Sequence, residues 1–131
     1  MLFRSTDCVA VRADTGARVE NCAIAGVRHD NGDDTFSVRA WNGDANCFTN
    51  CATDTESPIN ASCITVTTAA FKDFANADYR AAGASSPLVN AGVNNELAEG
   101  TDFTCRFRKI GPRMDIGCYE HQANAMVITV R

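Results

Sequence analysis

The chain has 131 residues, 45% of them hydrophobic and 21% charged, and a formal net charge of −4. That is enough apolar material for one packed domain and too little chain for two, and it argues against disorder as the default state. The basic residues are dispersed, with Lys72 and Lys109 the only lysines and no Lys/Arg run, which excludes a nucleic-acid footprint; no apolar run approaches the roughly 18 residues of a membrane span.

Met1-Leu2-Phe3-Arg4-Ser5 is too short and too polar for a signal peptide. Residues 8–12 read as a first strand and Asp14-Thr15-Gly16 as a turn. Residues 17–25 read as one longer strand, with Val19 on one face and Arg18 and Glu20 on the other. His29-Asp30-Asn31-Gly32-Asp33-Asp34 is a turn cluster whose sharpest signal is Asn-Gly. Residues 35–41 alternate again, with Phe36 and Val38 on one face and Arg39 on the other, and Asn42-Gly43-Asp44 is expected to turn the chain. A short run through Cys47, Phe48 and Cys51 follows, then a polar loop over 53–58 and a strand over 62–67. No window holds a clean helical period, and residues 69–75 are the best short helical candidate.

The seven cysteines are Cys8, Cys22, Cys47, Cys51, Cys63, Cys105 and Cys118, an odd number that leaves at least one thiol unpaired within a monomer. Cys47 and Cys51 are close, but no second close pair follows and His29 and His121 are isolated, so the spacing is not that of a zinc site. Two readings stay open: small buried core residues, or disulfides joining Cys47 or Cys51 to a distant partner.

Glu20-Asn21-Cys22-Ala23 is echoed by Ala45-Asn46-Cys47-Phe48, 25 residues on, and by Thr49-Asn50-Cys51-Ala52. A period in the twenties is the length of one rung in a stacked β-solenoid, where a repeated Asn would bond the Asn above it and a neighbouring Cys would point inward.

From residue 71 the pattern changes. Alternation thins, loops lengthen, and Gly83, Gly92, Gly100, Gly111 and Gly117 punctuate the chain; the tail over 125–130 regains high β propensity. Three motifs stand out here: Asp78-Tyr79-Arg80, then Ala84-Ser85-Ser86-Pro87-Leu88-Val89-Asn90-Ala91-Gly92, then Asp115-Ile116-Gly117-Cys118-Tyr119-Glu120. Together they resemble the closing segment of right-handed parallel β-helix proteins of the pectate-lyase-like superfamily. That segment runs as aspartate-aromatic-arginine, glycine-serine-proline-alanine-isoleucine-aspartate-alanine-glycine, and aspartate-isoleucine-glycine-alanine-tyrosine-glutamate. The resemblance covers residues 71–121, with Ala84, Asn90 and Cys118 as departures.

The resemblance implies an all-β fold: a short right-handed parallel β-helix of about three rungs over residues 1–70 and a loop-rich C-terminal cap over 71–122. Residues 123–131 would be a terminal strand or the start of a truncated module. Asp78, Tyr79, Pro87, Asn90, Gly92, Asp115, Gly117, Tyr119 and Glu120 would be structural residues of the cap, and the setting would be extracellular or at a cell surface. A cap at one end only leaves the first rung open, which predicts self-association through the uncapped N-terminal end.

Chemistry is sparsely signalled. Asp30, Asp33, Asp34, Asp44 and Asp54 form the candidate acidic cluster; paired carboxylates serve glycoside hydrolysis, and oxygen-rich loops take calcium as their cation. Trp41 and Arg39 are the candidate sugar contacts. No catalytic constellation and no cofactor signature is present in the sequence. The reading is a non-catalytic structural or carbohydrate-contacting module, with a polysaccharide-active lyase or hydrolase fragment using the acidic turns as the alternative.

Overall fold

Strands two to four residues long, separated by tight corners, carry most of the regular structure in a computed structural model that describes residues 11–26, 28–30, 36–38 and 40–122. The strands are β1 (Val11–Ala13), β2 (Val19–Glu20), β3 (Ala23–Ile24), β4 (Arg28–Asp30), β5 (Phe36–Val38), β6 (Trp41–Gly43), β7 (Phe48–Thr49), β8 (Ala52–Thr53), β9 (Ile64–Thr65), β10 (Phe71–Asp73) and β11 (Asp78–Ala81). Among the described residues there is no α-helix, only 3-10 turns at Ala45–Cys47, Thr68–Ala70 and Phe74–Asn76. The helical candidate at 69–75 is therefore two such turns flanking β10.

Two passes of the chain lie side by side in parallel. Val11 pairs with Trp41, Val19 with Phe48 and Ala23 with Ala52, steps of 30, 29 and 29 residues. β9 adds to β8 with Ala52 opposite Ile64, giving the order β3-β8-β9. Among the described residues antiparallel pairing joins β4 to β5 and β10 to β11, with one isolated bridge between Thr101 and Phe107. The Thr49-Asn50-Cys51-Ala52 echo is thus the one that stacks on Glu20–Ala23, at a step of 29. The Asn46–Cys47 echo falls instead in a 3-10 turn, where Asp44 accepts from the Asn46 backbone N–H at 2.9 Å.

Several expected elements are corrected by these corners. The strand expected over 17–25 is two strands broken at Asn21, whose φ of 54° is left-handed, and the next pass breaks in the same place at Asn50, φ 49°. Asparagine enters this region more easily than most residues because its short amide bonds locally. The two side chains do not bond each other. Asn21 Nδ2 donates to Val93 O at 2.8 Å and its Oδ1 accepts from Val93 N at 2.6 Å, while Asn50 Nδ2 donates to Ala91 O at 3.0 Å. His29 and Asp30, expected in a turn, lie in β4, and Asn42-Gly43, also expected to turn, lies in β6.

Strand alternation sorts the side chains into two apolar clusters. One contains Ala13, Ile24, Cys47, Phe48, Cys51, Ile59 and Cys63, with Trp41 packed on it. The other joins Ala52, Val66, Phe71, Leu88 and Ile116, with Ala23 and Ile64 beside them. Cys51 and Ala52 are neighbours that face opposite clusters. The segment 71–122 therefore meets the parallel strands along the outer face of β3-β8-β9 and at the Asn21/Asn50 corner, where Gly117 N also donates to Asn21 O at 2.7 Å. The expected open end at 1–6 and terminal strand at 123–131 lie outside the described residues.

Candidate functional site

The closing segment folds around a buried polar network. Asp102 Oδ1 accepts from the Thr104 backbone N–H at 2.7 Å, the Thr104 hydroxyl at 2.6 Å and the Arg106 backbone N–H at 3.1 Å, pinning a tight loop; its Oδ2 accepts from Glu120 N at 3.1 Å. Asp115 bridges two strands of backbone, accepting from Asn90 N at 2.7 Å and His121 N at 2.6 Å. Glu120 accepts from Arg108 Nη1 at 3.0 Å, Asp115 N at 3.1 Å and Ile110 N at 3.1 Å. The second Arg108 nitrogen, Nη2, donates to the carbonyls of Asp115 and Gly117 at 3.1 and 2.8 Å. Burial raises the Glu120 carboxyl above its ordinary range, outweighing its hydrogen bonds and the Arg108 charge. At Asp102 burial also pushes upward, but the bonds from Thr104, Glu120 and Arg106 win and the net shift is downward.

The cap residues expected from sequence divide into groups. Asn90, Asp115, Gly117 and Glu120 belong to this network or touch it. Gly92 is required by close approach: a Cβ there would lie 2.8 Å from both Asn21 Oδ1 and Met114 O. Asn90 uses its amide structurally, accepting from Arg113 N at 3.4 Å, and its φ is 54°. Tyr119 stacks edge-on against Phe103 at 5.7 Å, and Tyr79 against Phe74 at 5.3 Å. Asp78 binds Arg80 Nε at 2.7 Å, a bond that holds its carboxyl down at about 2. Pro87 is exposed, between Ser86, whose hydroxyl donates to Ala70 O at 2.8 Å, and the buried Leu88.

Above this network lies a polar cleft of about 520 Å³. Lys72, Arg80, Arg106 and His121 line it with Tyr119 and Gln122, and the carboxylates of Asp102 and Glu120 reach its wall. Those carboxylates are already occupied by the donors named above, so the cleft offers cations and an aromatic edge more than it offers a free acid or base. On the opposite flank a second groove of about 510 Å³ is lined by Cys22, Phe71, Phe74, Tyr79, Leu97 and Cys118, among others.

The acidic residues singled out from sequence are not gathered into a described site. Asp33, Asp34 and Arg39 lie outside the described residues, and Asp30 sits at the end of β4 opposite Phe36. Asp44 caps the Ala45–Cys47 turn, and Asp54 accepts from Gly26 N at 2.9 Å. Among the described residues no group of three or more His, Cys, Asp or Glu side chains is arranged to hold a metal ion. Trp41 is half-buried, edge-on to Phe48 at 5.4 Å, and packs on the first apolar cluster. Sequence reading missed Asp102 and Arg108. Asp102, two residues before Thr104, carried a local signal of a side-chain-closed turn; Arg108 carried none, because its partners are set by the fold.

No protein-family model, curated protein or solved structure matches this chain. Its site is therefore read from its own residues. The described chain contains no helix long and apolar enough to cross a membrane.

Proposed function

We propose that this chain is a non-catalytic module of a secreted or surface protein whose polar cleft contacts an acidic polysaccharide. The observation that carries this reading is the cleft itself, where Lys72, Arg80, Arg106 and His121 surround a ligand-sized space beside Tyr119. Arg80 is already paired with Asp78, so Lys72 and Arg106 are the cations that carry the reading; such cations bind carboxylates through charge-assisted bonds, and an aromatic edge suits a sugar face. The common step of 29–30 residues between the two parallel passes supports the finer fold reading, a short right-handed parallel β-helix, with β9 following β8 at a shorter step of 12; the relation to the pectate-lyase-like superfamily rests on the motif resemblance. Among the described residues the enzyme alternative draws no support from the acidic side chains: Asp44 and Asp54 each hold a backbone N–H, and both oxygens of Asp102 and of Glu120 accept hydrogen bonds within the closing segment.

Calorimetric titration with a uronic-acid oligosaccharide and its neutral counterpart tests the reading. Binding of the acidic sugar alone, weakening as salt rises, is the expected result. Arg106→Ala is expected to cost about tenfold in affinity, the loss of one charge-assisted bond of about 1.5 kcal/mol. Equal binding of both sugars, or none, overturns the contact; release of new reducing ends or unsaturated products overturns the non-catalytic part.

Self-association belongs to the same reading. Among the described residues β1, β2 and β3 each pair on one side only, with β6, β7 and β8. An unpaired parallel edge invites a second copy. Light scattering is expected to give a dimer, and a monomer across a wide concentration range removes this part.

A further inference from the structure

The stacked Asn corner brings two thiols together beside the second groove. Glu20 pairs with Thr49 and Ala23 with Ala52, so Cys22 and Cys51 are aligned across adjacent parallel strands. The ladder continues through them, with Asn21 N donating to Thr49 O at 3.2 Å and Ala52 N to Cys22 O at 2.9 Å. Adjacent strands lie about 4.8 Å apart, inside the Cα separation of about 4.4–6.8 Å that a disulfide spans. The two sulfurs make matching contacts, Cys22 Sγ with Glu20 O at 3.3 Å and Cys51 Sγ with Thr49 O at 3.5 Å. Cys51 is wholly buried, whereas Cys22 is half-buried and opens onto the groove.

We propose that Cys22 and Cys51 form a reversible dithiol–disulfide pair, oxidised by a low-molecular-weight disulfide that reaches Cys22 through this groove. The Cys22 thiolate attacks one sulfur of the small disulfide RSSR. The S–S bond breaks, a Cys22–S–S–R mixed disulfide forms, and the leaving RS⁻ takes up the proton Cys22 gave away. Cys51 then attacks the Cys22 sulfur, losing its own proton to the second departing RS⁻. The protein gives up two electrons and two protons, and RSSR becomes two RSH. This route is independent of the saccharide reading.

The electrostatics suit Cys22 as the attacking group. Its thiol is lowered to about 7, chiefly by the neighbouring Cys51 thiol and further by the Arg108 charge, and the same pairing pushes Cys51 up. Once Cys22 is capped, Cys51 no longer faces a thiolate. Cys118 shares the groove, but burial raises its thiol, so it stays protonated at neutral pH. Cys63 stacks on the far side of Cys51 through the β8–β9 register and is buried away from this groove.

Peptide mapping under non-reducing conditions, after exposing the full chain to oxidised glutathione at neutral pH, tests the assignment. A Cys22–Cys51 linkage reversed by dithiothreitol is expected, retained in Cys118→Ser. Cys51→Ala should instead accumulate the Cys22–glutathione mixed disulfide. A Cys51–Cys63 or Cys22–Cys118 linkage, or folded protein with no linkage, overturns the proposal. A second readout separates redox function from packing: the alkylation rate of Cys22 should rise with a midpoint near pH 7 and shift upward in Cys51→Ala. A wild-type midpoint in the ordinary thiol range sinks it.

Discussion

Replacing Arg108 with Met lowers the unfolding free energy by about 3–5 kcal/mol, the cost of leaving a buried partner charge without its counter-ion. The Arg108 and Glu120 side chains are 9% and 1% exposed, so water cannot take over for the missing guanidinium. Glu120 would face only backbone donors, and the carbonyls of Asp115 and Gly117 would each lose a bond of 3.1 and 2.8 Å. The loss is large beside the about 5–15 kcal/mol by which small domains are stable at all. It should appear in urea titrations as a lower midpoint with little change in slope. Met keeps much of the apolar stem, so packing is not the main variable. Arg108→Met combined with Glu120→Gln should be less damaging than the sum of the two, because the second change removes the stranded charge. A single Arg108→Met change within about 0.5 kcal/mol of wild type would show that the pair does not hold the segment together.

Gly43→Ala is the second large effect. Gly43 has φ +108°, and a Cβ on it would lie 2.1 Å from the Ala13 carbonyl oxygen and 2.8 Å from its carbon. Both are backbone atoms of a buried residue that pairs with Gly43 in the β1–β6 register, and that carbonyl also accepts from Asp44 N at 2.8 Å. The strands must therefore separate. Strain of about 1–2 kcal/mol in the left-handed region adds to lost ladder bonds of about 1 kcal/mol each, giving a loss of about 3 kcal/mol or more. Gly16 provides the control: its φ is +94°, but a Cβ there meets nothing within 4 Å. Gly16→Ala should show the strain alone. Equal melting-temperature losses for the two variants would mean that close approach between the passes is not what requires Gly43.

The strands were legible where alternation was local. Val19, Phe36, Val38 and Ile64 all fall in strands that apolar periodicity indicated. Corners were less legible. Residues 17–25 alternate well enough to suggest an unbroken strand, and only the amide of Asn21 bonding Val93, 72 positions later, makes the break an integral part of the fold. Asn42-Gly43 has turn composition yet stays paired with β1, and the chain leaves the strand only at Gly43, whose φ of +108° leads into the turn capped by Asp44. The repeat was visible as Asn-Cys echoes, but the choice between steps of 25 and 29 belongs to the strand register.

Composition and pattern alone determined the broad class. Short alternating runs between turn residues leave no stretch for a long helix, and β-structure follows because each half-apolar run has to bury one face. Aspartate, glycine and glutamate at 115, 117 and 120 are recognisable as a unit only by the resemblance of their motif to a β-helix closing segment, not by composition or periodicity. Tertiary structure decided what those residues contact. It supplied Arg108 as the ion-pair partner of Glu120, laid the segment along the outer face of β3-β8-β9, gathered Lys72, Arg80, Arg106 and His121 around one cleft, and aligned Cys22 with Cys51. The reason is physical. Periodicity records which side of a strand is apolar, whereas charge pairing, clefts and thiol contacts depend on distances between segments far apart in the chain, and those distances exist only after packing.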